Sequence, residues 1–392
     1  MERTVIASFA RTPFGKLGGS LKKFKATELG GFALREAINR AGIDPAKLDL
    51  TIMGQVITAG CGQVPARQAA FNAGIPYSVP GENLNKVCGS SMRAVTMADQ
   101  VIRCSDAEMI AAGGMESISN APFAIPDMRF GRKMFNGKTI DTMVHDGLWC
   151  PVYDVHMAVH GGVAAEFGIT REMQDEWALR SQQHAVDAIK NGRLARETFP
   201  VDLGKGQMFT VDEAPREDTS LEKMAKLAPI FTPDNTVTAG NAPGCNDGGS
   251  AMILMSEGYA EKNGYAPEAV ILGHAMYSDD SKYITTVPGH AINKLLKKVN
   301  MTVDDIDLFE INEAFAAVAL LSAKIAGIDH DKLNVNGGAI AFGHPIGASG
   351  ARIIMTLVSE LQRRNLRYGI AAICSGTAQG DAILVENCKY SR

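Results

Sequence analysis

The sequence predicts an α/β protein built from two similar halves, with mainly parallel strands inside each sheet and a long insertion between the halves. Three observations predict it. Strand-like and helical patterns alternate along the 392 residues. A segment near the start recurs near the end at one fixed offset. The stretch between the copies has a different composition, richer in charge, Pro, Met and His.

The first strand is expected at residues 5–9. A helix follows over residues 27–40, with Leu29, Phe32, Ala33, Ala37 and Ile38 on one stripe and Gly42 as its stop. Next comes GIDPAKLDLTIMGQ, residues 42–55, read as helix end, turn and apolar strand. NMTVDDIDLFEINE, residues 300–313, repeats that pattern, and Leu48-Asp49-Leu50 maps onto Ile306-Asp307-Leu308 at a shift of 258 residues. The same shift carries Cys88 onto Ile346. Both precede Gly/Ser-rich helix starts, CGSSMRA and IGASGAR. A small apolar strand ending in glycine follows each helix, at residues 109–114 and 370–376. Residues 115–249 fit neither half and read as the insertion, with a helix over residues 171–191 and a charged, loop-rich stretch at 205–235.

Composition narrows the class. Hydrophobic residues make up 46% and charged residues 21%, ordinary for a soluble globular chain. A net charge of −4 gives no general attraction to nucleic acid or anionic membrane. No window holds the ~20 apolar residues of a membrane span. The start of the chain lacks the basic and apolar regions of a signal peptide, so a cytoplasmic protein is expected. The seven cysteines are odd in number and have no CxxC spacing, which argues against a disulfide framework or a zinc site.

Four element junctions carry candidate chemistry. Cys88 follows a strand or turn at residues 82–87 and precedes Met92, Val95, Ala98, Val101 and Ile102 at helical spacing. A helix N-terminus there stabilises a thiolate, the attacking form of cysteine; a buried structural cysteine is the competing reading. His344 lies in NVNGGAIAFGHPIGASGAR, between Gly343 and Pro345, where a histidine can activate a thiol or donate to an oxyanion. Cys374 closes an apolar strand in CSGTAQG, where a second thiol suits proton transfer. Asn312 of INEAFA can donate to developing negative charge or hold a water; a helix N-cap is its commoner job.

Together these residues resemble the thiolase family from end to end. The resemblance rests on VCGS, NEAFA, GGAIAFGHPIGASGAR and the C-x-G loop, with RTPFGKLGG, GQVPARQAA, AGGMESISNAPF and TVTAGNAPGCNDG in the family's order. SISNAPF and the segment after it look most like the short-chain acetyl-CoA acetyltransferases. The resemblance implies a five-layered αβαβα thiolase fold. Its halves are expected at residues 1–116 with 250–267 and at 268–392, and an inserted loop domain at 117–249. It implies an acyltransferase that works on acetyl-CoA and other acyl-CoA substrates and releases coenzyme A. No metal or separate cofactor is implied, no nucleic acid or membrane partner is expected, and the chain is expected to form a homotetramer or dimer. Cys88 is implied as the acyl-accepting nucleophile, and His344 as its activator. Cys374 is implied as the base that removes an α-proton, and Asn312 as the holder of an oxyanion-hole water. The N–H groups of Cys88 and Gly376 are implied as the other oxyanion hole. Arg216 would meet the nucleotide end of coenzyme A, and Phe315 would line the acyl pocket.

The chain departs from the family near the expected acyl and pantetheine site. Pro243 stands where a serine usually contacts coenzyme A, and Lys223 takes another serine's place. Thr377 and Ala378 replace glycines after Gly376. His156 and Ile284 replace methionines near the acyl group. These changes leave the reacting side chains in place and point to an altered acyl pocket. Two alternatives stay open: a degradative 3-ketoacyl-CoA thiolase, and a thiolase-like binding subunit.

Overall fold

The computed structural model describes residues 2–391. Its principal strands are β1 (Thr4–Arg11), β2 (Leu50–Gly54), β3 (Gly81–Leu84), β4 (Met109–Ser117), β5 (Asn246–Ser256), β6 (Ala269–Ser278), β7 (Leu308–Ile311), β8 (Tyr368–Ser375) and β9 (Gln379–Asn387). The principal helices are α1 (Ala26–Ala41), α2 (Pro65–Ala73), α3 (Ser90–Arg103), α4 (Arg171–Lys190), α5 (Val287–Val299), α6 (Ala316–Ala326) and α7 (Ser349–Arg363).

The strands run in the order β7-β8-β9-β6-β1-β5-β4-β2-β3. The two halves meet edge to edge at a short antiparallel ladder that pairs Thr4, Val5 and Ile6 with Ile271, Val270 and Ala269. Helices α1 and α2 cover one face of the first sheet and α3 the other; α7 and α5 cover the two faces of the second, with α6 packed on α5. Helices α3 and α7 pack together between the sheets, which makes five layers. Helix α7 is buried from Ser349 through Leu361 because both sheets enclose it. Helix α6 is apolar nearly all round, as a helix without a solvent face must be.

The sheets correct the expectation of mainly parallel pairing. Parallel pairs join β2 to β3 and β4, and β7 to β8. The pairs β1–β5, β5–β4, β6–β9 and β8–β9 are antiparallel. The parallel part of each half is the βαβ unit that carries a predicted junction. The antiparallel part comes from strands that return by other routes: β5 arrives from the insertion, and β9 turns straight back from β8.

The repeat holds at the level of single hydrogen bonds. The Asp49 carboxylate accepts the N–H groups of Glu108 and Met109 at 2.8 and 3.0 Å. Asp307 accepts those of Arg367 and Tyr368 at 2.9 and 2.8 Å. In each half the aspartate before the strand ties down the start of the next parallel strand.

The expected helix of the insertion is α4, and the charged stretch after it is mostly loop. Strand β5 begins at Asn246, four residues before the expected domain boundary at 250. Buried Arg11, at the end of β1, anchors the insertion. Its guanidinium meets Glu197 at 2.8 Å and Asp212 at 2.7 and 2.9 Å. Burial opposes the charge, but Asp212 and Glu197 more than offset it and raise the pKa above its usual value. Among the described residues, no helix is long and apolar enough to cross a membrane.

Candidate active site

Cys88 sits in a tight turn between β3 and α3, two residues before the helix begins, and is 8% exposed. Val87 takes a left-handed φ of 46°, a strained conformation for a β-branched residue. Hydrogen bonds enforce the turn. The Lys86 N–H donates to Ser90 Oγ at 2.8 Å, Ser90 Oγ–H to the Val87 carbonyl at 2.6 Å, and the Gly89 N–H to Ser375 Oγ at 2.9 Å. A Cβ on Gly89 would lie 2.5 Å from Ser375 Oγ, so only glycine lets the elbow approach the end of β8. Lys86 Nζ also reaches Asp381 Oδ2 at 2.6 Å.

The expected stabilisation of a thiolate is only partly realised. Burial pushes the Cys88 thiol up to about 12. Hydrogen bonding from the backbone of Cys88 and Gly376 pulls the other way, and Glu116 adds an upward push. The resting group is therefore a neutral thiol that needs a base.

His344 is buried at 6% exposure on the loop before α7. Its Nδ1 lies 2.6 Å from Ser349 Oγ, whose hydroxyl donates to the Pro345 carbonyl at 3.0 Å. Ser349 Oγ thus accepts from Nδ1–H. Nε2 is left as a lone-pair acceptor and has no partner. Burial, followed by the nearby Arg352 charge, holds the imidazole down at about 3, so it is neutral. The His344 N–H donates to Asn246 Oδ1 at 2.9 Å. Gly343, with a φ of 97°, lies where any Cβ would overlap the Asn246 side chain.

Cys88, His344 and Gly376 line one apolar cavity of about 200 Å³, together with Phe315, His156, Pro243 and Ile284. Cys374 and Asn312 are not on that lining and are fully buried. Burial, followed by its closeness to Cys88, raises the Cys374 thiol well above its ordinary value. Asn312 is not an N-cap. Helix α6 begins at Ala316 with Phe315 in the cap position, and both side-chain atoms of Asn312 lack partners. An unmatched buried polar atom costs about 1–3 kcal/mol, so such a side chain is primed for a ligand or a water. Thr377 and Ala378 adopt φ values of 61° and 50°. They keep the left-handed turn that glycines usually make, at some cost in strain.

Arg216, Lys223 and Pro243 line a second, more polar cavity of about 620 Å³ with Lys16. It shares Ile230, Ala242, Pro243, Gly244 and Cys245 with the first. Lys223 Nζ is held by Asp218 Oδ2 and the Asp218 carbonyl, both at 2.7 Å.

Two buried carboxylates escaped the sequence reading. Glu313 accepts from Trp177 Nε1 at 2.9 Å, Ser181 Oγ at 2.7 Å, Asn334 Nδ2 at 3.1 Å and the Ile340 N–H at 3.1 Å. It ties the Asn312 turn to the His344 loop and to α4. Glu116 accepts the N–H groups of Val56, Ile57 and Gly347 at 3.0, 3.1 and 3.0 Å, which joins the two halves beside the site. Burial raises its pKa to about 7. The only signal for either was an acid inside a small-residue motif.

The thiolase N-terminal domain family matches residues 4–258 and the thiolase C-terminal domain family residues 265–387. The acetyl-CoA acetyltransferase of Cupriavidus necator is 46% identical over 391 residues, covering 98% of this chain and all of that protein. That of Chromobacterium violaceum is also 46% identical over 391 residues, with the same coverage. The Bacillus anthracis acetyl-CoA acetyltransferase crystal structure superposes with a TM-score of 0.96 at 40% identity, covering 99% of both chains. Human mitochondrial 3-ketoacyl-CoA thiolase in complex with CoA gives 0.95 at 37% identity, covering 98% of both. With this fold, and with these motifs gathered at the junction of two related halves, the chain belongs to the thiolase family.

Proposed function

We propose that this protein is an acetyl-CoA C-acetyltransferase, which condenses two acetyl-CoA to acetoacetyl-CoA and catalyses the reverse thiolysis. The observation that carries the reading is one cavity lined by Cys88, Gly376 and His344, in which His344 presents an unpartnered, neutral Nε2 and the backbone of Cys88 and Gly376 favours the thiolate against burial. The names of the Cupriavidus and Chromobacterium relatives support the same activity.

In the first step His344 Nε2 takes the Cys88 proton and the sulfur attacks the thioester carbonyl. The N–H groups of Cys88 and Gly376 stabilise the developing oxyanion. The bond to the coenzyme A sulfur breaks, and that sulfur leaves with the Cys374 proton. The acyl group remains on Cys88. In the second step the Cys374 thiolate removes an α-proton from a second acetyl-CoA, while Asn312, through a water, and His344 stabilise the enolate oxygen. The carbanion attacks the acyl carbon, the Cys88 sulfur leaves, and His344 returns its proton. Every group ends as it began. Arg216, Lys223 and Pro243 border the outer cavity assigned to coenzyme A, and Phe315, His156 and Ile284 border the acyl side.

Purified protein incubated with acetyl-CoA is expected to release coenzyme A, form acetoacetyl-CoA and carry one acetyl group by intact mass. Absence of all three overturns the proposal and favours the binding-subunit reading. A second reading is cleavage of longer 3-ketoacyl-CoA substrates, supported by the likeness to human mitochondrial 3-ketoacyl-CoA thiolase. Faster thiolysis of medium-chain than of four-carbon substrate would favour it.

We also place the activity in the cytoplasm and in a homo-oligomer. Phe130 is 97% and Phe135 89% exposed beside exposed Phe123, Ile125, Met128 and Met134. Apolar side chains gathered on one exposed segment fit a contact between copies. Sedimentation equilibrium is expected to give a dimer or tetramer; a monomer at micromolar concentration overturns this assignment.

A further inference from the structure

Three residues of the Cys88 elbow reach across to the hairpin of β8 and β9, which carries Cys374 and Gly376. Lys86 and Asp381 lie 295 residues apart in sequence, and Lys86 Nζ donates to Asp381 Oδ2 at 2.6 Å. The pair is enclosed, with side-chain exposures of 13% for Lys86 and 2% for Asp381. The Gly89 N–H donates to Ser375 Oγ at 2.9 Å. Val87 packs on Gly376, where an added Cβ would lie 3.4 Å from Val87 Cγ1. Asp381 pairs with Ile373 across the hairpin, one position before Cys374. Its Oδ1 has no partner. Lys86 is therefore the cation that compensates this buried carboxylate, and Arg93 adds a weaker attraction. Neither Lys86 nor Asp381 lines either cavity of the site.

Both backbone segments beside the nucleophile are strained. Val87, just before Cys88, and Thr377 and Ala378, just after Gly376, hold positive φ values of 46°, 61° and 50° without being glycine. Such segments keep their conformation only where the surroundings fix it. The bond from Gly89 to Ser375 fixes one point. The ion pair fixes a second, and a charge-assisted bond is the stronger of the two kinds. We propose that Lys86 and Asp381 are a positioning pair for acyl transfer: their ion pair clasps the elbow to the hairpin and sets the spacing of the Cys88 and Gly376 backbone groups that receive the oxyanion. The inference rests on the acyltransferase reading above. The pair acts through the backbone and does not touch substrate.

The test removes both charges at once in Lys86→Met/Asp381→Leu, which leaves no buried charge unpaired and is expected to fold. Two rates are followed on the full chain by intact mass: acetylation of Cys88 by saturating acetyl-CoA, and its alkylation by iodoacetamide, mapped by peptide mass. Acetylation develops an oxyanion at the carbonyl. Alkylation displaces iodide from a saturated carbon and develops none. The acetylation/alkylation ratio is expected to fall about 10- to 100-fold, the cost of misplacing a reacting geometry by up to ~1 Å. The half-saturating concentration of acetyl-CoA is expected to change little, since ground-state binding does not use the pair. Asp381→Asn, which keeps the side chain's shape and loses its charge, is expected to lower the ratio less. Lys86→Arg, which keeps the charge, is expected to retain most of it. A ratio unchanged in both disrupted variants overturns the inference even where their thermal midpoints fall, because a merely structural clasp lowers stability and not the ratio. An equal fall in Lys86→Arg also overturns it. Failure of wild type to be acetylated at all overturns the enzyme reading itself, an outcome distinct from acetylation with an unchanged ratio.

Discussion

Cys88→Ala is expected to lower acetoacetyl-CoA formation by about 10⁴-fold or more and to leave no acyl adduct detectable by intact mass. Removing a covalent nucleophile takes away the two-step route, and the remaining groups have no substitute for it. Cys374 and Cys245 are the thiols with a position to compete. Burial raises the pKa of both, whereas at Cys88 the backbone of Cys88 and Gly376 works against the rise. The variant is expected to fold, since alanine fits an elbow held by Ser90, Ser375 and Lys86 and not by the thiol. An adduct that persists in Cys88→Ala, mapped to another cysteine by peptide mass, would overturn the assignment of the nucleophile.

His344→Ala is expected to slow Cys88 acylation by about 10²- to 10⁴-fold, the usual worth of a positioned general base. The pH profile separates this role from a structural one. In wild type, the thiol lies at about 12 and the imidazole at about 3, so the neutral pair persists across the physiological range. Acylation is then expected to be nearly flat from pH 6 to pH 9. Without the histidine, attack depends on the small fraction of Cys88 already ionised. That fraction rises tenfold per pH unit below the thiol pKa, so the variant's rate is expected to climb with a slope near one. A variant that is slow but equally flat would mean that His344 positions the elbow and is not the base.

The histidine also links folding to pH. Its pKa is lowered on folding, from the ordinary value of 6.5 to about 3. It therefore contributes stability that is fully present above 6.5 and is lost as pH falls toward 3, where the unfolded chain binds the proton first.

Much of the fold was legible because local rules act on neighbours in sequence. The stripe of α1, the turns before β2 and β7, and the paired Asp49 and Asp307 all belong to one βαβ unit used twice. Strand direction across the sheets was not legible. Whether β5 runs with or against β4 depends on the route the chain takes through the insertion, and residue pattern does not record that route.

At the site, motif and position brought Cys88, His344, Cys374 and Asn312 to attention. They did not distinguish a residue that lines a cavity from one that lies behind it. They also passed over Glu313 and Glu116, because an acid in a short motif reads as a surface group until burial and its ring of donors are seen.

The sequence by itself determined which side chains stand at the four junctions and that the two halves share one plan. Only the tertiary structure decided their chemical state. A thiol at about 12, an imidazole at about 3 and an amide without partners are consequences of being enclosed between two sheets. The free energy of a charge depends on the water and dipoles around it, and those come from residues far away in the chain.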